Sequence, residues 1–157
     1  MDFAAMTALA LGRAFEKGEA DPRDATEDFL ARARAADPDR RIYVSLLETR
    51  ARAEAEAASA RAKLGLRRHA LDGVPLSWKD LFDVAGAATA GRTLALKDRV
   101  PSRDAEVLAR APRPGSGALR TPKLTGLALS GPGLPPEFAL PAHAPHPKLA
   151  PPTGAPS

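Results

Sequence analysis

Apolar residues recur along the first part of the chain at helical spacing. Between Phe3 and about Lys17, the residues Phe3, Met6, Leu9, Ala10 and Phe15 fall at mixed i+3 and i+4 intervals, which predicts a first helix ended by Gly18. Asp21-Pro22 then reads as the start of a second helix, with Asp21 as N-cap, Pro22 at the first helical position and Asp24 in the first turn. Ala25, Phe29, Leu30 and Ala33 would form its buried face, and Asp37-Pro38-Asp39 would stop it. Arg41 to Leu46 is short and β-rich, a strand or an extended lead into a third helix over about Leu47 to Leu64. That helix is dense in Ala, Glu and Arg. Its apolar stripe is sparse, so it is expected to pack lightly, with i,i+4 pairs Arg50–Glu54 and Arg52–Glu56 on a solvated surface. Gly65 closes it.

The pattern then changes period. Asp72-Gly73 predicts a turn, because glycine accepts the positive φ that such turns demand. Val74, Leu76 and Trp78 alternate with Pro75, Ser77 and Lys79, as in a half-buried strand. Pro75 donates no ladder bond and belongs at the strand start or on an edge. A second turn ends at Gly86, and a short helix follows over Asp104 to about Arg110, with Val107 and Leu108 on its apolar side. Beyond residue 111 the composition shifts: 12 of the 16 prolines and 6 of the 12 glycines fall in 112–157. That density disfavours long helices and central strands and is typical of irregular chain.

Composition narrows the function classes. With 157 residues, the chain has one domain's worth of sequence. No cysteine is present, which excludes disulfide and thiolate chemistry and is compatible with a cytoplasmic location. No apolar run approaches the roughly 20 residues of a membrane-spanning helix, so no membrane association is expected. The formal net charge of +4 has no focus, since residues 1–111 carry 19 basic and 18 acidic side chains and residues 112–157 carry four and one. A nucleic-acid interface needs basic residues gathered on one face, so no nucleic-acid partner is expected. His143 and His146, with Glu137 as the nearest carboxylate, fall short of the three or four converging ligands of a zinc site, and neither a metal nor another cofactor is expected. His69, beside Arg67 and Arg68, reads as a solvent-facing loop residue, and Ser116 and Ser130 have no context for activation.

Several motifs nevertheless occur in a specific order. Asp72-Gly73-Val74-Pro75, Lys79-Asp80, Asp83-Val84 and Gly86 are followed by Ala88-Thr89-Ala90-Gly91 and by Val100-Pro101-Ser102-Arg103-Asp104-Ala105-Glu106-Val107. Together they resemble the amidase signature family. The resemblance extends over roughly residues 1–140 and is firm over 70–110. Farther on, Leu124 to Phe138 is similar to a worn form of a family segment, with Gly126 where an acidic residue is usual and Pro135 where an asparagine is usual. The implied fold is α/β: N-terminal helices followed by the first strands of an amidase-signature mixed β-sheet flanked by helices, incomplete in this chain, with a Pro-rich, largely irregular C-terminal tail. The organisation implied is 1–111 as the N-terminal part of an amidase domain and 112–157 as a degenerate or disordered tail.

The resemblance implies hydrolysis of carboxylic amides at the C–N bond by a Ser–cis-Ser–Lys triad, with a small-molecule amide as substrate. A serine hydroxyl is a weak nucleophile until a base takes its proton. A lysine can be that base only in its neutral form, and a second serine can relay the proton. By its place in the motif, Lys79 corresponds to the general base, with Asp80 and Asp83 as structural residues that cap or hydrogen-bond the turn around it. The bridging serine of the family sits in a Gly-Gly-Ser-Ser turn. Where that turn is expected, the chain reads Pro151-Pro152-Thr153-Gly154-Ala155-Pro156-Ser157, and no nucleophilic serine follows. The expectation is therefore an inactive N-terminal fragment, truncated or degenerate after about residue 110. Such a fragment could require a partner that completes its sheet. Two alternatives stand beside it: a fragment of the A subunit of a tRNA-dependent amidotransferase, and a non-catalytic helical interaction module whose Pro132-Gly133-Leu134-Pro135 segment is bound as polyproline II.

Overall fold

The computed structural model describes residues 1–36, 43–89, 91 and 94–110, together with the backbone of 118–122. The readings made for Asp37-Pro38-Asp39, Arg41 and Ile42, for Ser116, Ser130, His143 and His146, and for the stretches 124–138 and 151–157 lie outside these residues. Four α-helices and three short strands are described: α1 Ala8–Glu16, α2 Pro22–Ala36, β1 Tyr43–Leu46, α3 Glu48–Lys63, β2 Leu76–Ser77, α4 Glu106–Arg110 and β3 Ala118–Pro122. The strands form one sheet in the order β1-β3-β2. The chain divides into two compact units, one built on Met1–Ala36 and Leu46–Ser77, the other on Trp78–Leu108.

In the first unit the predicted opening helix is split. Phe3–Ala5 makes a single 3-10 turn, and α1 begins only after Thr7, whose Oγ1 accepts from the Ala10 amide at 3.2 Å. A capping side chain restarts the helix there, which periodicity alone does not register. The buried face of α1 is Leu11, Gly12, Ala14 and Phe15, while Leu9 is exposed. Leu11 and Phe15 pack with Ala25 and Val74, and Phe3, Met6, Phe29 and Leu71 close around them. Gly12 is required by contact: a Cβ there would lie 2.0 Å from the Ala70 carbonyl oxygen. Helix α1 ends in a Schellman arrangement, with Gly18 donating to Phe15 O and Glu19 to Ala14 O.

Helix α2 starts where the sequence places it. Asp21 Oδ1 accepts from the Arg23 amide at 2.9 Å, and Ala25, Thr26, Leu30 and Ala33 are buried. Helix α3 has the predicted extent but not the predicted packing. Ala51, Ala55, Ala58 and Ser59 form a fully buried stripe, and α3 packs against α2 along it. Alanine supplies little apolar area, but it lets two helix backbones approach closely. Arg50–Glu54 forms as expected, whereas Arg52–Glu56 does not. Arg52 instead pairs with Glu27 and Glu48, and Glu56 meets Arg23 at 3.5 Å. The helix–helix contact offers Arg52 the Glu27 carboxylate on α2, which the sequence of α3 alone does not reveal.

The strand readings also differ in detail. Only Leu76–Ser77 is laddered, with Val74 buried ahead of it. Ala118–Pro122 forms a strand inside the Pro-rich stretch, and it is the middle one of the three. The prolines at 112, 114 and 122 flank this segment or end it. Residues 118–121 therefore keep the amide donors that a central strand needs.

Candidate functional site

The turn that leads into β2 is anchored from α3. Gly73 has φ 90°, and a Cβ on it would lie 2.8 Å from Pro22 Cγ, so both the backbone and the space demand glycine. The fully buried Asp72 accepts from Arg61 Nε at 2.9 Å, from Arg61 Nη2 at 2.6 Å and from the Arg68 amide at 3.0 Å. Burial pushes its carboxyl up, but the Arg61 guanidinium and the Arg68 amide outweigh this and hold it below the usual aspartate value. His69 is not solvent-facing. Its Nδ1 accepts from the Leu71 amide at 3.2 Å, and its buried Nε2 has no hydrogen-bond partner among the described residues.

Lys79 belongs to the second unit and is half-buried. Its carbonyl accepts from the Phe82 amide at 3.0 Å, which makes residues 79–82 a turn. The rings of Trp78 and Phe82 meet edge to face, 6.3 Å apart at 88°, at the two ends of that turn. Asp80 within it is fully buried, and Leu81 is exposed. No ion pair or hydrogen bond engages the Lys79 ammonium among the described residues.

Downstream, two segments run antiparallel and are stitched together. Ala105 donates to Asp83 O at 2.8 Å, Gly86 to Pro101 O at 3.0 Å and Thr89 to Arg99 O at 3.1 Å. Two side chains reinforce them. Asp83 receives both Nη atoms of Arg99 at 2.5 Å, and Asp104 Oδ1 accepts from the Ala85 amide at 2.8 Å. The Arg99 guanidinium holds the Asp83 carboxyl below the ordinary aspartate value. Gly86, at φ 76°, occupies the third position of the turn closed by Ala87 N–Val84 O. Val84 and Thr89 are buried, and Val107 on α4 is exposed rather than packed.

Lys79, Asp83 and Gly86 thus lie on one short hydrogen-bonded loop system, as their spacing suggests. Arg99 and Asp104 belong to it as well. Asp104 stands in the sequence motif, but nothing in the pattern pairs Arg99 with Asp83, because that contact spans sixteen positions. Among the described residues no group of three or more His, Asp or Glu side chains could hold a metal ion, and no helix is long and apolar enough to cross a membrane. In the first unit a groove of about 180 Å³ is lined by Arg23, Thr26, Glu27, Arg52, Ala55 and Glu56. Its charged rim is paired internally.

Comparisons with known proteins agree with one another. The family model described as Amidase matches residues 24–117. The chain is 37% identical over 108 residues to the A subunit of the glutamyl-tRNA(Gln) amidotransferase of Myxococcus xanthus, a match covering 69% of this chain and 22% of that protein. The native peptide amidase of Stenotrophomonas maltophilia superposes with a TM-score of 0.73 at 29% identity, over 80% of this chain and 26% of that one. A chain of a vestigial protein complex described as revealing the evolutionary origins of an s-triazine catabolic enzyme shares the fold at a TM-score of 0.84 and 23% identity, over 90% of this chain and 31% of that one. The chain spans about a fifth of the length of the curated relatives it matches.

Proposed function

Because the chain belongs to the amidase family, we propose that it supplies the lysine-bearing part of an amide-hydrolysing site, with Lys79 as general base toward a bridging and a nucleophilic serine. The observation that carries this reading is the state of Lys79. It sits half-buried on the motif turn, and no carboxylate among the described residues pairs with its ammonium. The amine nitrogen is therefore left to meet a serine hydroxyl, a position that a carboxylate pair would occupy. The proton would pass from the attacking serine through the bridging serine to the lysine as the serine oxygen bonds to the amide carbonyl carbon, and would return to the leaving amine as the C–N bond breaks. Neither serine occurs among the 157 residues in the family's Gly-Gly-Ser-Ser context, so the polypeptide by itself is expected to release no ammonia from simple amides.

The test is a chimera in which residues 24–117 replace the matching segment of the Stenotrophomonas maltophilia peptide amidase. The chimera is expected to hydrolyse amides, and Lys79→Ala within it to lower kcat by about 10²- to 10⁴-fold. Unchanged turnover in that variant overturns the assignment. A second reading makes the segment part of a tRNA-dependent amidotransferase, and it is favoured by the 37% identity with the Myxococcus xanthus protein. It predicts that residues 24–117 support more activity in that protein's scaffold than in the peptide amidase; equal activity in both removes it.

A further inference from the structure

We infer that Arg99 and Asp104 are positioning residues for the Lys79 turn. The inference rests on the reading of Lys79 as base, and it concerns two side chains whose link to that residue is tertiary and not part of the motif. Among the described residues, the backbone hydrogen bond from Phe82 to Lys79 O and the Trp78–Phe82 ring contact close the turn 79–82. A single exchangeable backbone hydrogen bond holds such a turn only weakly, because water competes for both of its groups. The chain just beyond the turn is fixed. Asp83, next to Phe82, is gripped by both nitrogens of the Arg99 fork, and its carbonyl accepts from Ala105. Two residues on, the Ala85 amide is tied to the Asp104 carboxylate. A bidentate arginine–carboxylate pair restricts orientation as well as distance, which a single point charge does not. The downstream end of the lysine's turn is therefore held by two side chains from the facing segment, one charged pair and one carboxylate–amide bond. The buried Asp80 and Val84 lie on either side of the Asp83 anchor.

The experiment uses the whole 157-residue chain and needs no catalysis. The rate at which acetic anhydride acylates Lys79 is followed by mass spectrometry, with the exposed Lys63 and Lys97 of the same molecule as internal standards. Arg99→Ala and Asp104→Ala are expected to raise the Lys79 rate threefold or more relative to both standards. Arg99→Lys, which keeps charge but not the fork, is expected to fall between wild type and Arg99→Ala. Asp104→Asn keeps an oxygen acceptor for the Ala85 amide and is expected to match wild type. The charge-swapped pair Asp83→Arg with Arg99→Asp is expected to restore the wild-type ratio. An unchanged ratio in both alanine variants overturns the inference. So does an equal rise at all three lysines, which would mean that the contacts hold the fold as a whole and not this turn. Failure of the general-base reading is registered separately, by Lys79→Ala in the chimera.

Discussion

Asp72 is a fully buried carboxylate with three donors, two from Arg61 and one from the Arg68 backbone. Removing one partner of such a pair leaves the other without compensation, which costs about 3 kcal/mol or more. Asp72→Ala is expected to lower the stability measured by urea unfolding at pH 7 by about that amount. The pH dependence has a definite sign. The folded carboxyl lies below its unfolded value of about 3.9, so its contribution is complete above about pH 4 and is lost as pH falls through the lower folded value. The difference between wild type and Asp72→Ala should therefore be constant from about pH 5 to 8 and shrink below about pH 4. A difference that persists unchanged in acid would show that the variant acts through packing alone. Among candidate site residues, Lys79 was legible from its motif because the motif is local. The Arg99–Asp83 pair was not, since its partners are brought together only when two loops run antiparallel.

At the scale of elements, α3 shows how a sparse apolar stripe can still specify close packing. Ala58 is buried against the Asp-Gly turn, where a Cβ on Gly73 would already come within 3.2 Å of its own Cβ. Ala58→Leu forces extra methyl groups into that contact and is expected to destabilise the chain by about 1–3 kcal/mol. Ala57→Leu on the exposed face of the same helix leaves stability within about 0.5 kcal/mol. Thermal unfolding of the two variants side by side checks this, and equal melting temperatures would contradict the packing described for α3. The extent of this helix was legible because Gly65 closes it with a positive φ of 68°. Its partners were not, because an alanine stripe looks the same to sequence whether a neighbour covers it or water does.

At the scale of the molecule, the exposed large apolar side chains are unevenly spread among the described residues. Leu81, Leu94, Leu96, Val100 and Val107 are all exposed within one short region of the chain. Exposed apolar side chains in such number favour association. Replacing Leu94 and Val100 together by glutamate is expected to reduce light scattering and dye binding by hydrophobic probes while leaving the melting temperature within about 2 °C. A large fall in melting temperature would instead mean that these side chains support the fold.

The sequence by itself determined the helices, their caps at Asp21, Gly18 and Gly65, the Asp72-Gly73 turn and the placement of Lys79 in an amidase motif. Each of these is a local property, set by backbone torsions, capping groups or a fixed run of residues. Tertiary structure alone decided that the alanines of α3 form a buried stripe. It also redirected Arg52 to Glu27, put Ala118–Pro122 between the other two strands and closed Arg99 on Asp83. These outcomes depend on which surfaces meet. Hydrophobic periodicity reports that a face is apolar, and charge reports that a partner is needed. Neither says which distant segment will supply the contact.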